Sequence, residues 1–129
     1  MRIRSHDQGF VAAPPTDVYR TVADLGRYPS WWDAVHVDPG DPATIALEPR
    51  VTAPVTRRQE REGTGLFLEL GPPYDGTLEW YLEPFEDGTI VNCLLDIELA
   101  GSRRRVRLRL WRLRARVRAG LVGIKRALE

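Results

Sequence analysis

Residues 101–129 read GSRRRVRLRLWRLRARVRAGLVGIKRALE, and the spacing of their apolar positions decides the architecture. After Gly101-Ser102, the residues Val106, Leu110, Leu113, Val117, Leu121, Ile124 and Leu128 recur at steps of three and four, which predicts a long helix burying one face. A second, weaker stripe of Leu108, Trp111, Ala115, Ala119 and Val122 makes this helix apolar on more than one side, and arginines flank the main stripe. Val106, Leu108 and Leu110 also alternate with Arg105, Arg107 and Arg109, so an extension of a sheet competes with helix over the first third.

Upstream of this segment the period is two. Leu66, Leu68 and Leu70 alternate with Phe67 and Glu69, and Leu78, Trp80 and Leu82 alternate with Glu79, Tyr81 and Glu83. After the turn signal Asp87-Gly88, Val91, Cys93, Leu95, Ile97 and Leu99 face one way and Asn92, Asp96 and Glu98 the other. These are half-buried strands, and an antiparallel meander connects them most simply.

The N-terminal third starts with a strand from Arg2 to Val11, stopped by Ala12-Ala13-Pro14-Pro15. Pro14-Pro15-Thr16-Asp17 then opens a helix carrying Val18, Tyr19, Val22 and Leu25, expected to end at Gly26. Ser30 is placed to cap a second short helix that turns Trp31 and Trp32 into the core. Residues 38–56 hold Pro39, Gly40, Pro42, Pro49 and Pro54, and read as a loop around a short strand.

At 129 residues the chain is expected to form one domain, 1–129, around one core. A hydrophobic fraction of 43% rules against disorder. With Cys93 as the only cysteine, neither an intramolecular disulfide nor a zinc site of paired cysteines can form. No segment resembles a signal peptide or a membrane span, so a soluble, cytoplasmic protein is expected. Of 19 basic residues only Lys125 is lysine, a bias that fits a GC-rich bacterial genome. Residues 1–100 carry 8 arginines against 17 acids, a net −9, while 101–129 carry 11 basic residues against Glu129, a net +10.

The wording of several segments resembles the START/SRPBCC superfamily of polyketide cyclases/dehydrases and lipid-transport-like proteins. Phe10-Val11-Ala12-Ala13-Pro14-Pro15-Thr16-Asp17-Val18-Tyr19 is similar to its opening strand and Ala-Pro step. Ala23-Asp24-Leu25-Gly26-Arg27-Tyr28-Pro29-Ser30-Trp31-Trp32 resembles its Asp-Leu, Tyr-Pro and Trp phrase. Gly88-Thr89-Ile90-Val91 resembles the start of its last strand, and Leu121 to Glu129 its closing helix. The resemblance implies an α+β helix-grip fold: a curved antiparallel sheet wrapped around a long C-terminal helix, with two short helices after the first strand. It also implies a cavity between sheet and helix for a lipid, polyketide or similar apolar molecule. Residues 36–62 depart most from the pattern.

The expected lining of that cavity is Tyr28, Trp32, Leu68, Leu78, Trp80, Leu82, Cys93, Leu95, Leu110, Trp111, Leu113 and Val117, although the same residues would serve a fully packed core. Tyr28, Tyr74, Asp75, Asn92 and Arg57 are the polar groups available for proton transfer, with nothing in the sequence to choose among them. His6 and His36 stand apart from any cluster of ligand-type residues, so no metal and no cofactor are expected. A serine elbow is absent, and Gly63-Thr64-Gly65 reads as a turn.

The leading reading is carriage of an apolar small molecule, with cyclization or dehydration of a polyketide in the same pocket as the alternative. A third is binding of an anionic membrane or nucleic-acid surface through the arginine-rich helix, nucleic acid being disfavoured because only Trp111 offers a stacking ring. Against this third reading, the arginines would pair with strand acids such as Glu69, Glu79, Glu83 and Asp96. The second stripe of the helix would also suit a homodimer.

Overall fold

The computed structural model describes all 129 residues. Seven strands form one antiparallel sheet: β1 (Arg2–Val11), β2 (His36–Asp38), β3 (Thr44–Glu48), β4 (Val51–Arg61), β5 (Gly65–Leu70), β6 (Gly76–Phe85) and β7 (Gly88–Glu98). Their order is β1-β7-β6-β5-β4-β3-β2, a meander that the first strand joins at its far edge. Helix α1 (Pro15–Ala23), a 3-10 turn (Leu25–Arg27) and the single-turn helix α2 (Tyr28–Trp31) link β1 to β2. Helix α3 (Arg103–Leu128) closes the chain, and the curled sheet wraps around it as the helix-grip fold requires.

The competition over residues 103–110 resolves as helix. The Ser102 hydroxyl accepts from the Arg105 amide at 3.3 Å, satisfying one of the free donors of the first turn. Val106, Leu113, Val117, Leu121 and Ile124 are buried against the sheet, which a strand of the same sequence could not achieve over five turns.

Four local expectations need correction. The segment 38–56 is largely sheet: β3 and β4 meet across a turn in which Arg50 takes φ 64°, and Ile45, Leu47 and Ala53 are fully buried. Pro54 is tolerated because its carbonyl accepts from Gly71, past the end of β5, and the Gly71 carbonyl already accepts from the Tyr74 and Asp75 amides, so the missing Pro54 amide costs no ladder bond. Helix α1 stops at Ala23, before Gly26, because the Asp24 carboxylate accepts from the Gly26 amide at 3.0 Å and starts the 3-10 turn. Ser30 lies inside α2, its hydroxyl donating to the Arg27 carbonyl at 2.6 Å. The β6–β7 turn is carried by Glu86 at φ 51°, while Gly88 belongs to β7, where a Cβ would come within 2.4 Å of the Val11 carbonyl oxygen.

Candidate functional site

The inner face of the sheet presents apolar side chains in cross-strand rows. Leu68 lies opposite Leu78 and Leu78 opposite Leu95, while Leu66, Trp80 and Cys93 form the next row. All six are buried, and Leu113 and Val117 of α3 are buried in the same cluster. Alternation on the strands supplies one wall and the helical stripe the other.

Between these walls α2 and the residue that follows it, Trp32, insert three aromatic rings. The Trp31 and Trp32 indoles stack with centroids 5.5 Å apart, Trp32 meets Trp80 edge-on at 5.3 Å, and Tyr28 packs on Trp31 at 4.6 Å. The Trp32 indole N–H donates to the Arg116 carbonyl at 2.8 Å. The helix admits this wedge because it carries glycine at the contact. A Cβ on Gly123 would lie 1.7 Å from the Trp31 carbonyl oxygen, a position no side chain can share. The layer beneath α3 is thus filled by the chain's own aromatic side chains. A groove of about 480 Å³ runs over the outer edge of the wedge, between α2 and the end of α3, with Pro29, Trp31, Ala119, Val122 and Gly123 among its lining residues.

Of the residues expected to line a cavity, Tyr28, Trp32, Leu68, Leu78, Trp80, Leu82, Cys93, Leu95, Leu113 and Val117 are buried in this one cluster, with Leu110 half-buried at its margin. Trp111 is the exception and corrects the expectation: it stands 66% exposed on the far side of α3. A helix can turn one stripe to a sheet, and the Val106–Leu128 stripe occupies that role.

One polar group borders the apolar layer. Tyr74, fully buried just before β6, donates its hydroxyl to Glu48 at 2.8 Å. Arg109 of α3 grips the same carboxylate with two donors, at 2.7 and 3.0 Å. Desolvation pushes the Glu48 carboxyl upward, but the hydrogen bonds from Arg109 and Tyr74 outweigh it and hold the group below its ordinary range. Burial, then the hydrogen bond to Glu48, pushes the Tyr74 hydroxyl well above its ordinary value. Glu48 ends β3 inside the proline-rich stretch that reads as a loop around a short strand; the alternation of Ile45 and Leu47 in Thr44–Glu48 is the signal that points to it.

The other polar candidates do not converge there. The Tyr28 hydroxyl is spent on the Val22 carbonyl at 2.6 Å, and burial raises its pKa strongly, Cys93 adding to the effect and the Trp80 N–H opposing it. Asn92 lies on the outer face of the sheet, 2.7 Å from His6 and 2.8 Å from Glu83. Asp75 and Arg57 are exposed, Arg57 near Glu69 at 3.9 Å, and His36 is exposed on β2. No three His, Cys, Asp or Glu side chains converge as metal ligands would.

The arginines of α3 find different partners from those expected. Arg114 and Arg118 reach the buried carboxylate of Asp7 at 3.0 and 3.4 Å, and Arg109 reaches Glu48. The strand acids are engaged elsewhere: Glu79 by Arg61 at 2.7 Å, Asp96 by Arg4 at 3.2 Å, Glu69 by Arg57 and Glu83 by Asn92. Those acids alternate with the inward-facing residues and so point away from the helix.

Comparison with known proteins places this geometry. The family model described as polyketide cyclase / dehydrase and lipid transport matches residues 3–129. No curated protein matches the chain in sequence. Among solved structures, the di-domain ARO/CYC StfQ from the steffimycin biosynthetic pathway superposes with a TM-score of 0.76 at 16% identity, covering 97% of this chain and 50% of that one. The Aha1 dimer from Colwellia psychrerythraea gives 0.71 at 13% identity, over 98% and 96% of the two chains. The di-domain ARO/CYC BexL from the BE-7585A biosynthetic pathway gives 0.71 at 19%, covering 96% of this chain and 45% of that one. The chain therefore spans about half the length of each di-domain protein.

Proposed function

The chain belongs to the polyketide cyclase/dehydrase and lipid transport family, and on that premise we propose that it binds an apolar small molecule beneath α3, the aromatic rings of α2 yielding to admit it. The observation that carries this reading is the way the layer is closed. The sheet wall is held by continuous strand pairing, whereas Tyr28 and Trp31 arrive on a helix of four residues and Trp32 directly follows it. Moving α2 outward breaks few main-chain bonds and uncovers Trp80, on which the Trp31 and Trp32 rings rest. The groove between α2 and α3 supplies the mouth. Tyr74 and Arg109 border the layer and would orient a polar end of the ligand.

A second reading, cyclization or dehydration of a polyketide, draws on the ARO/CYC neighbours and on the Tyr74–Glu48 contact. The electrostatics weigh against proton transfer by this pair. A carboxylate held below its usual range is a weak base, and a phenol pushed above its range is a weak acid. Any turnover would then rest on the shape of the pocket, which folds a reactive chain into place.

Native mass spectrometry of the purified protein, with identification of any extracted molecule, tests the binding reading. One apolar molecule per chain is the expected result. A protein that carries none, and that fails to bind a hydrophobic fluorescent probe at saturating concentration, overturns it. Conversion of a linear polyketide by the loaded protein would favour the second reading.

A further inference from the structure

The outer face of α3 is a surface feature that the ligand reading leaves largely unused, Val122 alone of its exposed large apolar side chains also lining the groove beside α2. On a wheel at about 100° per residue, Arg104, Leu108, Trp111, Arg112, Ala115 and Val122 fall within about 60° of the line opposite the buried stripe. Leu108 is 48% exposed, Trp111 66% and Val122 45%. From Leu108 to Val122 this apolar line runs about 21 Å along the helix. Ten of the 18 arginines are within ion-pair distance of an acid, leaving eight that are not, and seven of those eight lie on α3. Arg104, Arg107 and Arg112 are exposed among them and flank the N-terminal half of the apolar line.

We infer that this face docks on an anionic lipid surface, with Leu108, Trp111 and Val122 entering the interfacial zone while Arg104, Arg107 and Arg112 meet lipid phosphates. The observation is a paired one: unneutralised positive charge, and apolar side chains exposed between those charges. A bilayer interface is complementary to both at once, offering phosphate at its surface and hydrocarbon just below. A second copy of the chain would satisfy the apolar line only by bringing two sets of unpaired guanidiniums together, which like-charge repulsion opposes. Nucleic acid would satisfy the charges but leave Leu108 and Val122 against phosphate and sugar, with Trp111 the sole stacking ring. No helix is long and apolar enough to cross a membrane, so this contact lies in the surface plane. Leu108, Trp111, Arg104, Arg107 and Arg112 lie outside the groove beside α2, so this docking holds whatever occupies the layer beneath the helix.

The test is flotation with vesicles of phosphatidylcholine, alone or with about a third phosphatidylglycerol, at low and high salt. The expected result is partition onto the anionic vesicles only, abolished by high salt. The triple variant Arg104→Glu, Arg107→Glu, Arg112→Glu should lose roughly 100-fold in partitioning, and Trp111→Ser should lose roughly tenfold together with the blue shift in indole emission that binding causes. All four side chains are exposed and unpaired, so the variants should keep the parent's circular dichroism. Equal binding to neutral vesicles, or a triple variant that binds as the parent does, overturns the inference. So does a dimer at micromolar concentration that Trp111→Ser dissociates, or duplex DNA binding that outcompetes the vesicles.

Discussion

A Cβ on Gly120 would sit 2.9 Å from the Cε2 and Nε1 atoms of the Trp32 indole, so the α3 backbone and the ring delivered by α2 interlock without room for a methyl group. Alanine there gains about 1 kcal/mol in helix propensity but overpacks a ring that is buried on all sides, at a cost of about 1–3 kcal/mol. Gly120→Ala should therefore lower the urea midpoint while increasing uptake of a hydrophobic probe, because Trp32 is pushed from its seat. A raised midpoint with no change in probe uptake would mean that the wedge adjusts freely.

Glu48 ties α3 to β3, and its carboxyl is held below the ordinary value of 4.5 despite desolvation, by hydrogen bonds from Arg109 and Tyr74. A depressed folded-state pKa contributes stability that is present above the unfolded-state value and lost as pH falls through the folded one. Glu48→Gln should cost about 1–3 kcal/mol at neutral pH, and its deficit against the parent should narrow below pH 4.5. Urea denaturation at a series of pH values measures this. A deficit that stays constant into acid would show that the carboxylate's charge adds nothing.

Cys93 lies opposite Trp80 across the strand pair and is buried. Burial, with Asp7 adding to it, pushes its thiol far above the ordinary range. The native protein should react with a thiol reagent only through opening of the inner layer, at a rate many-fold below that in urea. A ligand beneath α3 should slow it further, so the same assay reports occupancy. Rapid labelling of the folded protein would count against a closed layer.

Asp7 is buried between Arg114 and Arg118, which fasten the middle of α3 to β1. Asp7→Asn leaves both guanidiniums without a countercharge and should destabilise the fold by about 1–3 kcal/mol. Glu79→Gln, whose partner Arg61 sits on the open face of the sheet, should cost under about 1 kcal/mol. Comparable losses in the two variants would contradict the difference in burial.

The residues that revealed the architecture are those whose period matches their environment. Leu66–Leu70, Leu78–Leu82 and Val91–Leu99 alternate because one face is buried, and Val106–Leu128 steps by three and four because one helical stripe is. Residues 38–56 were opaque for a physical reason. Proline normally marks a break, yet Pro54 sits in β4 facing Gly71, beyond the end of β5, where no ladder bond needs its amide. The same prolines mask Glu48, at the end of β3, and with it the polar group bordering the inner layer. Trp111 was misplaced by a related ambiguity, since two apolar stripes on one helix look alike until the sheet selects between them. The ion pairs of Asp7 and Glu48 span 107 and 61 residues of chain, and no local pattern encodes such partners.

The edge strand β1 pairs along its whole length with β7, Arg2 opposite Glu98 and Val11 opposite Thr89. During synthesis at about 5–20 residues per second, β1 would wait roughly 5–20 s for its partner to be made. Closing so long a span before any bond rewards it makes this pairing a late and slow event. Until then Ile3, Asp7 and Val11, all buried in the finished protein, remain open to water and to other nascent chains. The register that completes the grip on α3 is therefore also the interval in which the chain is most open to aggregation and to chaperones.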